Sequence, residues 1–134
     1  MTIDDNIDTT EAVTDYCNMK GIECEVANKG QKGLFEIQKQ DYDIILLDMA
    51  IPEYSGFDIL NQLNKQDVKN RWIVILTASS LKMEDFKDYT EVGVREILKK
   101  PIGLESLDAV VKGYLRNVGA TINHRNNQSV KITS

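Results

Sequence analysis

The segment DYDIILLDMAIPEYSGFDIL, residues 41–60, contains a four-residue apolar run that ends in a carboxylate. Ile44 to Leu47 lead directly into Asp48, and an apolar stripe at helical spacing follows after a turn. A strand without polar alternation is typical of a parallel sheet that is covered on both faces. The segment therefore predicts a buried strand over residues 43–48, with Asp48 at its carboxyl end, and a helix over residues 56–66.

Strands and helices alternate in both directions from this segment. The predicted strands are residues 1–3, 22–26, 43–48, 72–77 and 95–99, and the predicted helices are residues 8–20, 29–40, 56–66, 83–91 and 104–118. The first helix is expected to begin with a capping box at Asp8-Thr9-Thr10-Glu11. Strands that alternate with helices over short connections form right-handed crossovers and a parallel sheet between two helix layers. The predicted fold class is therefore α/β.

Composition and charge exclude several classes of function. The chain has 134 residues and 42% apolar content, which suits one domain with one core. Its formal net charge of -5 argues against direct binding of nucleic acid, because phosphate backbones are bound by clustered Lys and Arg. The sequence has neither a membrane-spanning apolar run nor a signal-peptide pattern, so we expect a cytoplasmic protein with no membrane association.

Polar side chains follow four of the predicted strands. Asp4 and Asp5 come after the short first strand, Asp48 ends the third, Thr77 ends the fourth, and Lys100 follows the fifth. The carboxyl ends of parallel strands lie along one edge of an open sheet, and ligands bind in the crevice there. The sequence therefore predicts that these five side chains converge.

Their chemistry points to transfer of a phosphoryl group onto a carboxylate. Clustered acids bind a hard cation such as Mg²⁺, which keeps water ligands that phosphate oxygens can replace. The cation, the Lys100 ammonium and the Thr77 hydroxyl would stabilise the charge on the transferred group, and Asp48 would be the nucleophile. Each residue alone has an ordinary alternative role, as a helix cap, a strand residue or a solvated charge.

In combination, the residues resemble the receiver domain of two-component response regulators over residues 1–118. The matching positions are Asp4-Asp5 for the acidic pair, Asp48 for the phosphoacceptor, Pro52 and Gly56 after it, Thr77-Ala78 for the hydroxyl and its small neighbour, Gly93, and Lys100-Pro101 for the lysine and cis-proline. The resemblance implies a flavodoxin-like, doubly wound sheet of five strands in the order 2-1-3-4-5.

The resemblance also implies a metal site and partners. Mg²⁺ or Mn²⁺ would be bound by Asp5 directly, by Asp4 mainly through water, by Asp48, and by the backbone carbonyl of Ala50. A sensor histidine kinase or a phosphotransfer protein would supply the phosphate, and a downstream protein that the sequence does not identify would receive the signal. Homodimerisation is left open. The role would be a switch, with self-catalysed phosphotransfer and dephosphorylation, rather than a metabolic enzyme.

Two alternative functions remain at this stage. A pseudo-receiver would keep the fold as a protein-binding module without being phosphorylated, and the short first strand favours that alternative. A flavodoxin would bind FMN in the same crevice, but its phosphate loop requires Ser, Thr and Gly after the first strand, where this chain has an acidic pair.

The two ends of the chain depart from the family's pattern. Only three residues precede Asp4, so the first strand is short for a central strand, and either the sheet centre is weakened or another segment fills the gap. Residues 119–134 form a polar tail that is too short for an output domain. Within it, SVKIT at residues 129–133 alternates like an edge strand, and we expect it to pair with a sheet edge or a neighbouring chain.

Overall fold

A parallel sheet with helices on both faces forms the body of the computed structural model, which describes residues 2–3, 6–117 and 131–133. The strands are β1 (Thr2–Ile3), β2 (Glu23–Ala27), β3 (Ile44–Asp48), β4 (Ile73–Thr77), β5 (Val94–Lys99) and β6 (Lys131–Thr133). The α-helices are α1 (Ile7–Lys20), α2 (Gly30–Lys39), α3 (Gly56–Lys65) and α4 (Leu104–Asn117), and a 3-10 helix spans Met83–Tyr89. The predicted α/β class is confirmed.

The first five strands have the predicted order. β1 pairs in parallel with both β2 and β3, β4 pairs with β3, and β5 pairs with β4. These strands therefore run in the order β2-β1-β3-β4-β5, and the edge that holds their carboxyl ends carries the polar residues of interest.

A sixth strand joins the five predicted strands. β6 is parallel and pairs with β2 on one side and with β3 on the other, so it lies inside the sheet. The expectation of a strand near the chain end is confirmed for residues 131–133, but the expected edge position is wrong. Residues 129 and 130 of the predicted strand lie outside the described residues. The physical reason is that β1 is only two residues long, which leaves room between β2 and β3.

Two apolar layers cover the sheet, and alternate residues of the central strands supply them. Ile45 and Leu47 of β3 pack with residues of α2, α3 and the 3-10 helix, whereas Ile44 and Leu46 pack with residues of α1 and α4. All five residues of β3 and all five of β4 are buried. Each such large apolar side chain contributes about 1.5–3 kcal/mol when it is fully buried, so this pair of strands is the main anchor of the polar edge.

Local signals set the element ends, with two departures from expectation. The cap of α1 is Asn6, whose side chain accepts a hydrogen bond from the Thr9 amide, so the predicted box at residues 8–11 is wrong by two positions. The predicted helix over residues 83–91 is a 3-10 helix over Met83–Tyr89. Only Phe86 is buried within it, so no apolar stripe favours a longer α-helix.

No helix in the described part of the chain combines the length and the apolarity that a bilayer crossing requires.

Candidate functional site

Asp48 lies at the carboxyl end of β3 and is 2% exposed. Its Oδ1 atom accepts a hydrogen bond from the Ala50 amide at 3.3 Å and lies 3.3 Å from Lys100 Nζ. A buried carboxylate is costly unless hydrogen bonds and opposite charge compensate it, and both are present here. The apolar run of β3 therefore delivers one oriented carboxylate to the edge of the sheet.

Lys100 reaches Asp48 from the end of β5. Thr77 and Lys99 are paired in the β4–β5 ladder, and the Lys100 amide donates to the Thr77 carbonyl at 2.8 Å. The next peptide bond, Lys100-Pro101, is cis, as the resemblance implied. The backbone therefore fixes Lys100 against the end of β4, and its side chain reaches the end of β3.

The Thr77 side chain, which is 5% exposed, bonds to the loop that follows β4. The Ser79 amide donates to Thr77 Oγ1 at 3.0 Å, and the two hydroxyl oxygens are 2.8 Å apart. Any movement of the threonine hydroxyl towards Asp48 would therefore release Ser79. Sequence reasoning did not anticipate this hydrogen bond. The missed signal is the spacing, because a Ser or Thr hydroxyl commonly bonds backbone amides two residues away.

The turn between β3 and α3 passes close to Asp48, which explains the glycine at position 56. A β-carbon at Gly56 would lie 2.8 Å from the Asp48 carbonyl oxygen and 2.5 Å from Met49 Sδ. Both distances are too short for a real side chain. Ser55 then begins α3 with a capping box, in which the Ser55 and Asp58 side chains bond each other's backbone amides. Gly56 thus allows the helix to start directly beside the acceptor residue.

The acidic pair, Asp4 and Asp5, lies outside the described residues. β1 ends immediately before the pair, at Ile3, and Ile3 is paired with Leu47, the residue that precedes Asp48. The structure therefore brings Asp48, Thr77 and Lys100 to one edge, and the strand that leads into the acidic pair ends at the level of that edge. Among the described residues, no group of three His, Cys, Asp or Glu side chains could by itself hold a metal ion.

The donor types are suited to a hard divalent cation. Asp48 supplies carboxylate oxygens, Ala50 supplies a backbone carbonyl on an exposed loop, and two more carboxylates follow β1 in the sequence. Oxygen ligands from few residues, with space left for water, are the usual protein environment of Mg²⁺. The Ala50 amide contact to Asp48 was not anticipated, and the predicted role of the Ala50 carbonyl stays a prediction.

Residues 1–112 match the response regulator receiver domain, and the chain belongs to that family. The fold and the family together establish a phosphorylation-dependent type of signalling domain of two-component systems. The resemblance drawn from the sequence is thereby confirmed, and no finding favours the pseudo-receiver alternative.

Individual relatives agree with the family assignment. The chain is 29% identical to the transcriptional regulatory protein CiaR of Streptococcus pneumoniae, over 87% of this chain and 51% of that protein. It is 28% identical to a CpxR homolog of Haemophilus influenzae, over 96% of this chain and 55% of that protein. The chain thus spans about half the length of these curated relatives.

A solved structure gives the same result in three dimensions. The chemotaxis protein CheY4 of Vibrio cholerae superimposes with a TM-score of 0.72 at 27% identity, covering 85% of this chain and 95% of that one. The similarity therefore extends over nearly the full length of CheY4.

Proposed function

We propose that the chain is a response regulator whose Asp48 accepts a phosphoryl group from a phosphohistidine. The observation that carries this proposal is the buried Asp48 carboxylate, which ends β3 and lies 3.3 Å from the Lys100 ammonium at the edge where ligands of parallel sheets bind. A carboxylate kept only as a cap would require neither burial nor a lysine delivered from another strand. The arrangement supports a nucleophile whose charge is balanced before the reaction.

The transfer is balanced in bonds and charge. A carboxylate oxygen of Asp48 attacks phosphorus, an O–P bond forms, the N–P bond to the donor imidazole breaks, and the imidazole nitrogen takes up a proton from solvent. Lys100 then pairs with the phosphoryl oxygens, and the Thr77 hydroxyl donates to another of them. Dephosphorylation ends the signal: water attacks phosphorus and the O–P bond breaks, which releases inorganic phosphate and restores the Asp48 carboxylate.

A divalent cation, Mg²⁺ or Mn²⁺, fits the proposed site. Asp48, the Ala50 carbonyl and the pair Asp4 and Asp5 would hold it, and when bound it would neutralise negative charge on the phosphoryl oxygens. Within the protein, Lys100 already balances Asp48, so the residues of the chain alone hold the acceptor oriented.

The proposed partners follow from this chemistry. A sensor histidine kinase or a phosphotransfer protein would present the phosphohistidine, and a downstream protein would bind the face that changes when Thr77 releases Ser79. The proposed location is the cytoplasm. Self-catalysed dephosphorylation is the only hydrolytic activity that we propose.

Intact-mass spectrometry with a small phosphodonor tests the proposal. With acetyl phosphate and Mg²⁺, we expect the protein to gain the mass of one phosphoryl group, and Asp48→Asn to gain none. Asp88→Asn, an exposed aspartate on the 3-10 helix, is the matched control and should be phosphorylated like the parent. Phosphate acquired by Asp48→Asn at the parent's rate would show that another residue is the acceptor.

A further inference from the structure

β6 and β1, which are far apart in the sequence, lie end to end in the centre of the sheet. Position 133 of β6 is paired with Glu25 and Ile45, and position 2 of β1 is paired with the next residue of each neighbouring strand, Val26 and Leu46. Both neighbouring strands therefore give the same register. β6 and β1 occupy consecutive positions of a single interrupted strand, in the order 131-132-133-2-3.

The strand at the edge of the sheet depends on both pieces. Within the described residues, β2 pairs only with β6, through Glu23–Glu25, and with β1, through Val26 and Ala27. β2 and β3 have no direct pairing in that part of the chain. The Tyr42 hydroxyl, just before β3, donates to the Glu25 carboxylate and so bridges the same gap from one side. Without β6, three of the five residues of β2 would lose their ladder.

The connection is long enough for the same chain to supply β6. Asn117, the last residue of α4, lines a cavity with Asp43 and Trp72, which precede β3 and β4, so α4 ends near the amino ends of the strands. β6 starts opposite Glu23, the first residue of β2, at that same end of the sheet. The thirteen residues 118–130 can span at most about 45 Å, which exceeds the width of a few strands at roughly 4.8 Å each.

We propose that Lys131–Thr133 forms the first half of the central strand in cis, and that it positions β1, on which Mg²⁺ binding by the acidic pair that follows in the sequence depends. β1 alone is two residues long, and the acidic pair follows it directly in the sequence. A strand of two residues has few ladder hydrogen bonds to resist fraying, whereas a strand of five has the usual length. The part of this inference that concerns metal affinity rests on the proposed function, and the part that concerns the strand does not.

A proline substitution and a circular permutant test the strand. Ile132→Pro removes a ladder donor from an interior strand, and we expect the melting temperature to fall by about 10 °C. Amide exchange at Glu23–Glu25 should accelerate at least about tenfold. Asn127→Pro, which adds a proline to the same tail outside β6, is the control and should change neither quantity.

The permutant places residues 118–133 before residues 2–117 and omits Met1 and Ser134, so that Thr133 is joined directly to Thr2. We expect a folded monomer that melts at or above the parent's temperature, with Glu23–Glu25 protected. An unfolded permutant would overturn the proposal. So would an Ile132→Pro variant with the melting temperature and the amide exchange of the parent. A parent that elutes as a dimer while the permutant elutes as a monomer would show that a second copy supplies β6, and would overturn the cis assignment.

Magnesium titration tests the positioning role. Followed by isothermal titration calorimetry well below the melting temperature, Ile132→Pro should weaken Mg²⁺ binding at least about tenfold. Leu107→Ala is the control, because it removes a buried α4 side chain and should lower the melting temperature without changing Mg²⁺ affinity. Equal Mg²⁺ affinity in Ile132→Pro and the parent would overturn the positioning role. A parent that binds no Mg²⁺ would contradict the proposed function instead, and the exchange and melting results would still decide the strand.

Discussion

Two parts of the sheet end at the same carboxyl edge, where the site lies, but they are built differently. β3, β4 and β5 are each one continuous segment, and every residue of β3 and β4 is buried. The central strand beside them consists of β1 and β6, which are separated by almost the whole sequence. In the first part, each of Asp48, Thr77 and Lys100 follows from one continuous strand segment. In the second part, a single strand is made of two segments that are distant in sequence. The difference separates what the local sequence dictates from what only the assembled sheet can complete.

The largest expected effect lies in the continuous half, at Gly93. Its φ is +125°, and a β-carbon there would lie 1.7 Å from the Arg71 carbonyl oxygen, in the backbone that leads into β4. Gly93→Ala would therefore add both backbone strain and overpacking, and we expect a loss of about 2–6 kcal/mol in the free energy of unfolding. Urea unfolding measures it.

Gly103→Ala is the matched control for that substitution. Nothing lies within 4 Å of a β-carbon at Gly103, and its φ is not positive. Because the Gly103 carbonyl accepts the first hydrogen bond of α4, from the Leu107 amide, a cost of no more than about 1 kcal/mol is expected. Equal effects of the two substitutions would contradict the tight approach of β5 to the segment before β4.

The second prediction compares the two halves directly, at a paired position. Ile3 of β1 and Leu47 of β3 are neighbours in register, and each is 0% exposed. If β6 holds β1 in place, Ile3→Ala and Leu47→Ala should each cost about 2–5 kcal/mol. Urea unfolding of both variants gives the comparison. A cost below about 1 kcal/mol for Ile3→Ala alone would mean that β1 frays before the core opens.

A third, smaller effect tests how tightly α2 packs on β1. A β-carbon at Gly33 of α2 would lie 2.3 Å from Ile3 Cδ1, 2.6 Å from Ile3 Cγ1 and 2.9 Å from Ile3 Cγ2. Overpacking of about 1–3 kcal/mol is offset by about 1 kcal/mol of helix propensity, so we expect Gly33→Ala to cost about 0–2 kcal/mol.

A double-mutant cycle isolates that contact. Ile3→Ala removes Cδ1, Cγ1 and Cγ2 together, so Gly33→Ala should be less costly in the Ile3→Ala background, with a coupling energy of about 0.5–3 kcal/mol. Purely additive costs would show that Ile3 moves aside freely and that β1 is loosely held.

The same contrast explains how much the sequence could predict. The apolar runs that form β3 and β4 were placed within one residue, because burial on both faces leaves an unambiguous local signal. The convergence of Asp48, Thr77 and Lys100 followed from strand order alone, although their chemical roles remain predictions. The sequence also predicted a strand near the chain end, since alternation is local.

Non-local facts and competing local signals limited the rest of the prediction. The interior location of β6 depends on a vacancy created by the shortness of β1, at the opposite end of the chain. The start of α1 was misplaced because Asn6 and Asp8 are equally good caps by residue type, and the backbone decides between them. The Thr77–Ser79 hydrogen bond required a loop conformation that composition does not specify.

The smallest expected effect concerns pH and the two helices that flank the interrupted strand in sequence. α1 follows β1, α4 precedes β6, and the Tyr16 hydroxyl of α1 donates to Asp108 Oδ1 of α4 at 2.9 Å. Lys112 lies 2.8 Å from the other Asp108 oxygen. The hydrogen bond from Lys112, and then the one from Tyr16, holds the pKa of the Asp108 carboxyl below its usual value. Because the folded state binds this proton more weakly, the contribution to stability is present above the unfolded pKa of about 3.9. It is lost as pH falls from there through the lowered folded value.

Urea unfolding as a function of pH should therefore show a shallower acid decline for Asp108→Asn than for the parent, with Asp88→Asn as the exposed control. Identical slopes for the parent and Asp108→Asn would show that the α1–α4 contact adds no stability to the part of the fold that contains β1 and β6.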